Sequence, residues 1–246
     1  MHISPCKTFS NQSVQQHILK NLNLSIREGD FTVIMGNSGS GKSTLLYALS
    51  GMDRPTLGSI SYHGEEISKY SNDKLAIFRR KHCGFVFQQN YLNDSMSVLD
   101  NIMICGLLAT KDRKVLVEKA KKLLLQVGIS EQTFRKFPTQ LSGGEQQRVA
   151  VVRGIINEPE ILFADEPTGA LNSQNTENVL NVLTDLNKKG QSIVMVTHDM
   201  KSARRANRIL YLQDGIITGE LNLGTYQSGD RKRHENLRHF LEEMGW

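Results

Sequence analysis

Cysteine is scarce in this 246-residue chain, and the three present, Cys6, Cys83 and Cys105, form no C-x-x-C pair. An odd, dispersed set indicates neither a zinc-ligand cluster nor a disulfide framework, and points to a reducing, cytosolic compartment. Long apolar runs are missing too. No stretch approaches the roughly 20 residues of a spanning helix, and the N-terminus lacks the charged-then-apolar order of a signal peptide. A chain of this kind is expected to serve a membrane, if at all, from the cytosolic side through a partner. No internal repeat or low-complexity tract is evident. Charge of one sign is not in large excess: 30 Lys and Arg against 25 Asp and Glu leave +5, which suits a phosphate ligand, an anionic membrane or nucleic acid alike. The basic runs Arg79-Arg80-Lys81-His82 and Arg231-Lys232-Arg233-His234 are isolated and read as solvated faces, so no nucleic-acid partner is expected.

What the chain does have is Gly36-Asn37-Ser38-Gly39-Ser40-Gly41-Lys42-Ser43-Thr44, set between the apolar run Phe31 to Met35 and Leu45 to Leu49. The order reads strand, glycine-rich loop, helix. Glycines let the backbone close around a phosphate and leave successive N–H groups pointing at it. Lys42 is expected to reach the outer phosphates and Ser43 to offer its hydroxyl to Mg2+, while the helix N-terminus adds positive partial charge. An ordinary Gly/Ser turn is the bland alternative. The fuller pattern predicts a nucleoside triphosphate site, with ATP the expected ligand.

Around this loop the pattern predicts an α/β chain. Leu22 to Ile26 alternates and turns at Arg27-Glu28-Gly29-Asp30, which predicts a hairpin into the strand at Phe31. A short strand is expected at Ser59 to Tyr62, a helix at Asp73 to Arg80 and a buried strand at Gly84 to Phe87. From Gln89 to about Pro159 helices dominate: Val98 to Leu108, Lys114 to Val127, and one opening at Ser142. Glu160 to Ala164, Ser192 to Thr197 and Arg208 to Leu212 are short apolar runs, as in a sheet buried on both faces. Near the C-terminus, Leu237, Phe240, Leu241 and Met244 fall on one helical face before Trp246, the only tryptophan. That face either packs on its own domain or meets a partner.

Four strands end in useful chemistry: Met35 before the glycine loop, Phe87 before Gln88, Ala164 before Asp165-Glu166, and Thr197 before His198. A lone Gln or His in such a place is commonly structural. In a parallel sheet, however, ligands sit at the carboxyl ends of the strands, so one edge gathers all four. Asp165 and Ser43 are then expected to share Mg2+, with Gln88 contacting metal or water. Glu166, on the other side of an extended backbone, is expected to deprotonate the attacking water, and His198 to polarise the terminal phosphate. The structural alternative makes Asp165 and Glu166 a helix cap before Pro167. Leu141-Ser142-Gly143-Gly144-Glu145 has the form of a capping box. Two glycines in a helix's first turn also expose N–H groups at the positive end of its dipole, which makes a second anion site.

Together these motifs resemble the ATP-binding subunit of an ATP-binding-cassette (ABC) transporter. Walker A (GNSGSGKST), the Q-loop Gln88, the signature LSGGEQQRVA, Walker B (ILFADE) and the switch histidine His198 occur in family order over residues 36–199. The resemblance implies one ABC ATPase domain over residues 1–246. Residues 1–88 and 160–230 would form a P-loop core with a mostly parallel sheet and an N-terminal antiparallel β portion, 89–159 an inserted helical subdomain, and 231–246 a C-terminal helix. It implies a head-to-tail dimer in which Ser142, Gly143 and Gly144, with Glu145, act on the other copy's triphosphate. Phe9 becomes the aromatic expected to stack on adenine, a plain core Phe being the alternative. Asn172 stands where the family often has Asp, which removes a charge from the segment linking the two sites.

The segments Gly51 to Gly58, Phe78 to Gln88 and Asp165 to Leu171 are similar to the lipoprotein-release, macrolide-export and antimicrobial-peptide-resistance branch. The resemblance implies a peripheral subunit on the cytoplasmic face of the membrane, powering a separate permease with a large extracytoplasmic domain. Asn90 to Val98 is the expected docking rim. A cassette regulating a cell-wall hydrolase stays open as the alternative. Chromatin-type relatives would need long heptad arms, and translation-type relatives a second cassette.

Overall fold

The computed structural model describes residues 2–11, 14–20 and 22–246, with side chains from Ile18 onward. In chain order the elements are β1 (His2–Asn11), β2 (Val14–Leu19), β3 (Leu24–Ser25), β4 (Phe31–Met35), α1 (Lys42–Leu49), β5 (Leu57–Tyr62), β6 (Glu65–Glu66), α2 (Asn72–His82) and β7 (Cys83–Phe87). They continue as α3 (Val98–Gly106), α4 (Arg113–Gln126), α5 (Gly143–Ile155), β8 (Ile161–Asp165), α6 (Ser173–Lys188), β9 (Ser192–Val196), α7 (Met200–Ala203), β10 (Arg208–Gln213), β11 (Ile216–Asn222) and α8 (Arg231–Glu243).

Two sheets carry the fold. The larger has the order β11-β10-β4-β9-β8-β7, parallel throughout except for β11, which returns antiparallel on β10. The smaller is antiparallel, in the order β2-β1-β5-β6, with β3 also paired to β1. This is the α/β class expected from the sequence. The expected hairpin is corrected: β3 and β4 lie in different sheets, because β3 pairs with β1 while β4 takes β10 and β9 as neighbours. Alternation in Leu22, Leu24 and Ile26 does mark one buried face, but against the apolar cluster shared by the two sheets.

Every residue of β4 and β9 is buried, as in a strand covered on both faces. On one face, Ile34, Val194 and Val196 meet Leu45, Leu46 and Leu49 of α1 together with Ile60 and Tyr62 of the antiparallel sheet. On the other, Val33, Met35 and Tyr211 meet Val151 of α5, Val179 and Leu183 of α6, and Leu237, Phe240 and Leu241 of α8. The C-terminal helix therefore packs its apolar face on its own chain. Burying each such side chain contributes about 1.5–3 kcal/mol, which is what holds the sheet edge below its loops. A third cluster joins α3, α4 and α5 through Val98, Ile102, Leu116, Leu124 and Val149.

Candidate functional site

Strands β4, β9, β8 and β7 are consecutive and parallel, so their carboxyl ends share one edge. The glycine loop springs from β4 there. Gly36 has φ 149°, and a Cβ on it would stand 2.0 Å from the Leu212 carbonyl, so only glycine fits this turn. Gly41, the N-cap of α1, is left-handed at φ 100° and has no capping side chain, which leaves the first N–H groups of α1 open to an anion. Lys42 is buried and folds along the loop, donating from Nζ to the carbonyls of Gly36 (2.7 Å) and Asn37 (2.8 Å). Burial pushes its pKa down, and the nearby carboxylates of Glu166 and Asp165 oppose that.

Next on α1, Ser43 donates from Oγ to Asp165 Oδ1 at 2.9 Å, and one turn further Tyr47 donates its hydroxyl to Asp165 Oδ2 at 2.6 Å. Burial, then the bond to Asp165, pushes the Tyr47 phenol well above its usual value, so it stays a donor. The Ser43 and Asp165 oxygens are hard donors spaced like adjacent ligands of an ion that binds oxygen at about 2.0–2.1 Å, which fits Mg2+. Tyr47 was not foreseen; its signal was its place four residues after Ser43, on the same face of α1.

Asp165 ends β8, but Glu166 is not on extended backbone as expected: its φ is 47°. This left-handed turn, held by the Glu166 N–H on the Val196 carbonyl (3.0 Å), carries the carboxylate across to β9. There Oε1 lies 2.8 Å from His198 Nδ1, and Oε2 accepts from the Thr197 hydroxyl at 3.3 Å. His198 is exposed, and the Asp199 carboxylate behind it caps α7 by accepting from the N–H groups of Lys201 and Ser202. Neither Asp165 nor Glu166 caps a helix. That task falls to Asn172, whose side chain accepts from the Asn175 N–H at the start of α6.

A cavity of about 760 Å³ lies over the edge, lined by Ile18, Asn37, Ser38, Gly39, Gly41, Lys42, Ser43, Thr44, Glu166, His198 and Trp246. Gln88 is not in its wall; exposed after β7, it lies against Gly169. Phe9 belongs to β1 opposite Gln16, and its side chain lies outside the described residues. Ser142, Gly143, Gly144 and Glu145 are also outside this cavity. They open α5, where the Ser142 and Glu145 side chains form the expected capping box, with the Ser142 N–H 2.8 Å from Glu145 Oε2. Gly144 packs so closely on Asn175 that an added Cβ would meet it at 2.4 Å.

Residues 19–169 match the family model described as ABC transporter, more than half of the chain. This chain belongs to the ABC transporter family. As a member it is an ATPase that binds ATP with Mg2+. It is 41% identical over 221 residues to the macrolide export ATP-binding/permease protein MacB of Shewanella sp. (strain ANA-3), covering 89% of this chain and 34% of that one. With the bacitracin export ATP-binding protein BceA of Halalkalibacterium halodurans it shares 38% identity over 240 residues, 97% of this chain and 92% of that one. Among solved structures, an ATP-binding cassette dimer in a post-hydrolysis state, bound to ADP and Pi, superposes with a TM-score of 0.84 at 36% identity, over 92% and 99% of the two chains. These relatives agree with the expected branch.

Proposed function

We propose that this chain is the energy-supplying subunit of an export or peptide-resistance transporter, acting as a head-to-tail pair beneath a separate permease. The observation that carries the reading is a divided site: the triphosphate loop with Ser43, Glu166 and His198 line one cavity, Asp165 is hydrogen-bonded to Ser43 beside it, and no residue from Ser142 to Glu145 at the start of α5 lines it. A second copy in head-to-tail order supplies what each cavity lacks, and the likeness to a solved cassette dimer supports that arrangement.

In this reading the N–H groups of the loop and Lys42 hold the phosphates, and Ser43 with Asp165 would hold Mg2+, which when bound neutralises developing phosphate charge. Glu166 takes a proton from the attacking water, with Thr197 and His198 fixing its two oxygens. His198 also faces the terminal phosphate. Gln88, at the rim, senses closure rather than forming the resting wall.

Closure has a mechanical route to the surface. Helix α5 starts at the second anion site and grips the loop after β7: Gln147 donates to the Phe87 carbonyl (2.7 Å), Gln146 accepts from Asn90 (2.7 Å), and Arg153 donates to the carbonyls of Asn90 and Tyr91. Beside that loop a groove of about 350 Å³ is lined by Arg80, Phe87, Cys105, Leu108 and Arg153, and Tyr91, Ile104 and Leu108 stand exposed near it. We assign this face, with the rim Asn90 to Val98, to the permease. This chain covers 34% of MacB, which is named as an ATP-binding/permease protein, and that supports a permease partner; the large extracytoplasmic domain of that partner is part of the proposal. No described helix is long and apolar enough to cross a membrane, consistent with peripheral attachment on the cytoplasmic side. Purifying the chain with Glu166→Gln and ATP from detergent-solubilised native membranes tests this. A multi-span permease should come with it; recovery of soluble partners alone would refute the transport reading.

A further inference from the structure

Trp246 lies far in sequence from every nucleotide motif, yet it lines the triphosphate cavity. Its placement follows from how α8 is built. Arg233, buried to 2% exposure in the first turn, donates to the carbonyls of Arg204, Ala206, Leu223 and Gly224, which pins α8 to the chain around β10. Leu237, Phe240 and Leu241 then bury its inner face against the sheet. Past Met244 the chain reverses at Gly245 (φ 78°), and the Trp246 N–H returns to the Leu241 carbonyl at 3.0 Å. This turn swings the indole back over the sheet edge, where it meets the buried Tyr211 ring edge-on, with 6.2 Å between centroids and 80° between planes. Trp246 as a residue keeps 41% of its surface exposed. Apart from Ile18, the other described lining residues are small, polar or charged, so among the described residues these two side chains are the large apolar surfaces offered to an occupant.

We propose that Trp246 is a nucleotide-contacting residue, and that α8 exists in part to hold an aromatic wall against the bound nucleoside triphosphate. The inference rests on the glycine loop being the triphosphate site. Losing one aromatic contact predicts affinity for nucleotide about 3- to 10-fold weaker.

Because Trp246 is the sole tryptophan, indole emission from the full chain reports this position alone. At a concentration where the protein is monomeric, Mg-ADP and Mg-ATP should each change the emission saturably and shield the indole from acrylamide, with midpoints equal to those from equilibrium dialysis. Trp246→Ala should bind both nucleotides about 3- to 10-fold more weakly by dialysis, Trp246→Phe should recover most of the loss, and both variants should remain fully folded without nucleotide at the temperature of the dialysis. Equal dialysis affinities for wild type and Trp246→Ala, or emission that changes only with ATP-driven dimerisation, would overturn the proposal. Absence of nucleotide binding by dialysis in the wild type would instead overturn the site itself.

Discussion

Asp165 is held by two hydroxyls from one face of α1, and that pair decides how firmly its carboxylate is aimed. Tyr47→Phe keeps the ring and removes one hydrogen bond to a charged group. Groups that orient a metal-ligating carboxylate typically account for 10- to 100-fold in metal affinity, so this variant should need roughly 10-fold more Mg2+ for half-maximal ATPase rate. An unchanged Mg2+ titration would show that Tyr47 orients nothing. A second carboxylate gives a pH prediction. Glu160 accepts from Tyr62 (2.6 Å), His63 (2.8 Å) and His82 (2.7 Å), tying β5, α2 and β8 together. Burial alone would raise its pKa, yet these bonds bring it down from 4.5 to about 2. A carboxyl depressed in the folded state stabilises fully above its unfolded pKa, and that contribution is lost as pH falls from 4.5 towards 2. Urea midpoints should therefore drop over that window in the wild type and drop less in Glu160→Gln. The loop, Asp165 and His198 were legible because each is a fixed residue type at the end of an apolar run. Tyr47 and the Glu160 cluster were not, since their partners lie 118 and 78 to 98 residues away and leave no local pattern.

Between elements, the contact of α5 with β7 matters most, because it joins the start of α5, the proposed second anion site, to the loop after Phe87. Gly84 of β7 faces Gly154 of α5 so closely that a Cβ would stand 2.3 Å from the Gly154 carbonyl. Gly84→Ala must push helix and strand apart, and overpacking of this kind costs about 1–3 kcal/mol. Chemical denaturation should show that loss, and no loss would mean that α5 yields freely. The parallel strands were readable because they are short apolar runs between helices. The β3–β4 hairpin was misjudged for a physical reason: alternation reveals a buried face but not which strand supplies the hydrogen bonds. Strand β11 was missed since its pattern is half-exposed, antiparallel and without a continuous apolar run. The aromatic end of α8 was readable as an amphipathic helix, but its approach to the cavity depends on a turn after Met244 that periodicity does not encode.

For the molecule as a whole, the cavity lies at one sheet edge and Ser142 and Gly143 at the start of α5 are exposed outside it, so in the proposed reading one chain presents half of two sites. That division is why the account requires two copies, and why Asn172 matters: its side chain is occupied in capping α6, a task that an Asp would perform equally well. Asn172→Asp should therefore leave folding stability nearly unchanged, and any effect should fall on the cooperativity of ATP turnover. The proposed head-to-tail pairing has its sequence counterpart in two glycines opening a helix well separated from the glycine loop, though only geometry places them outside the cavity. The most direct measurement is sedimentation of Glu166→Gln with and without Mg-ATP, alongside its ATPase rate. The variant should be a monomer that becomes a stable dimer on adding Mg-ATP, with hydrolysis lowered about 10²- to 10⁴-fold. A chain that stays monomeric and turns over ATP like the wild type would contradict it.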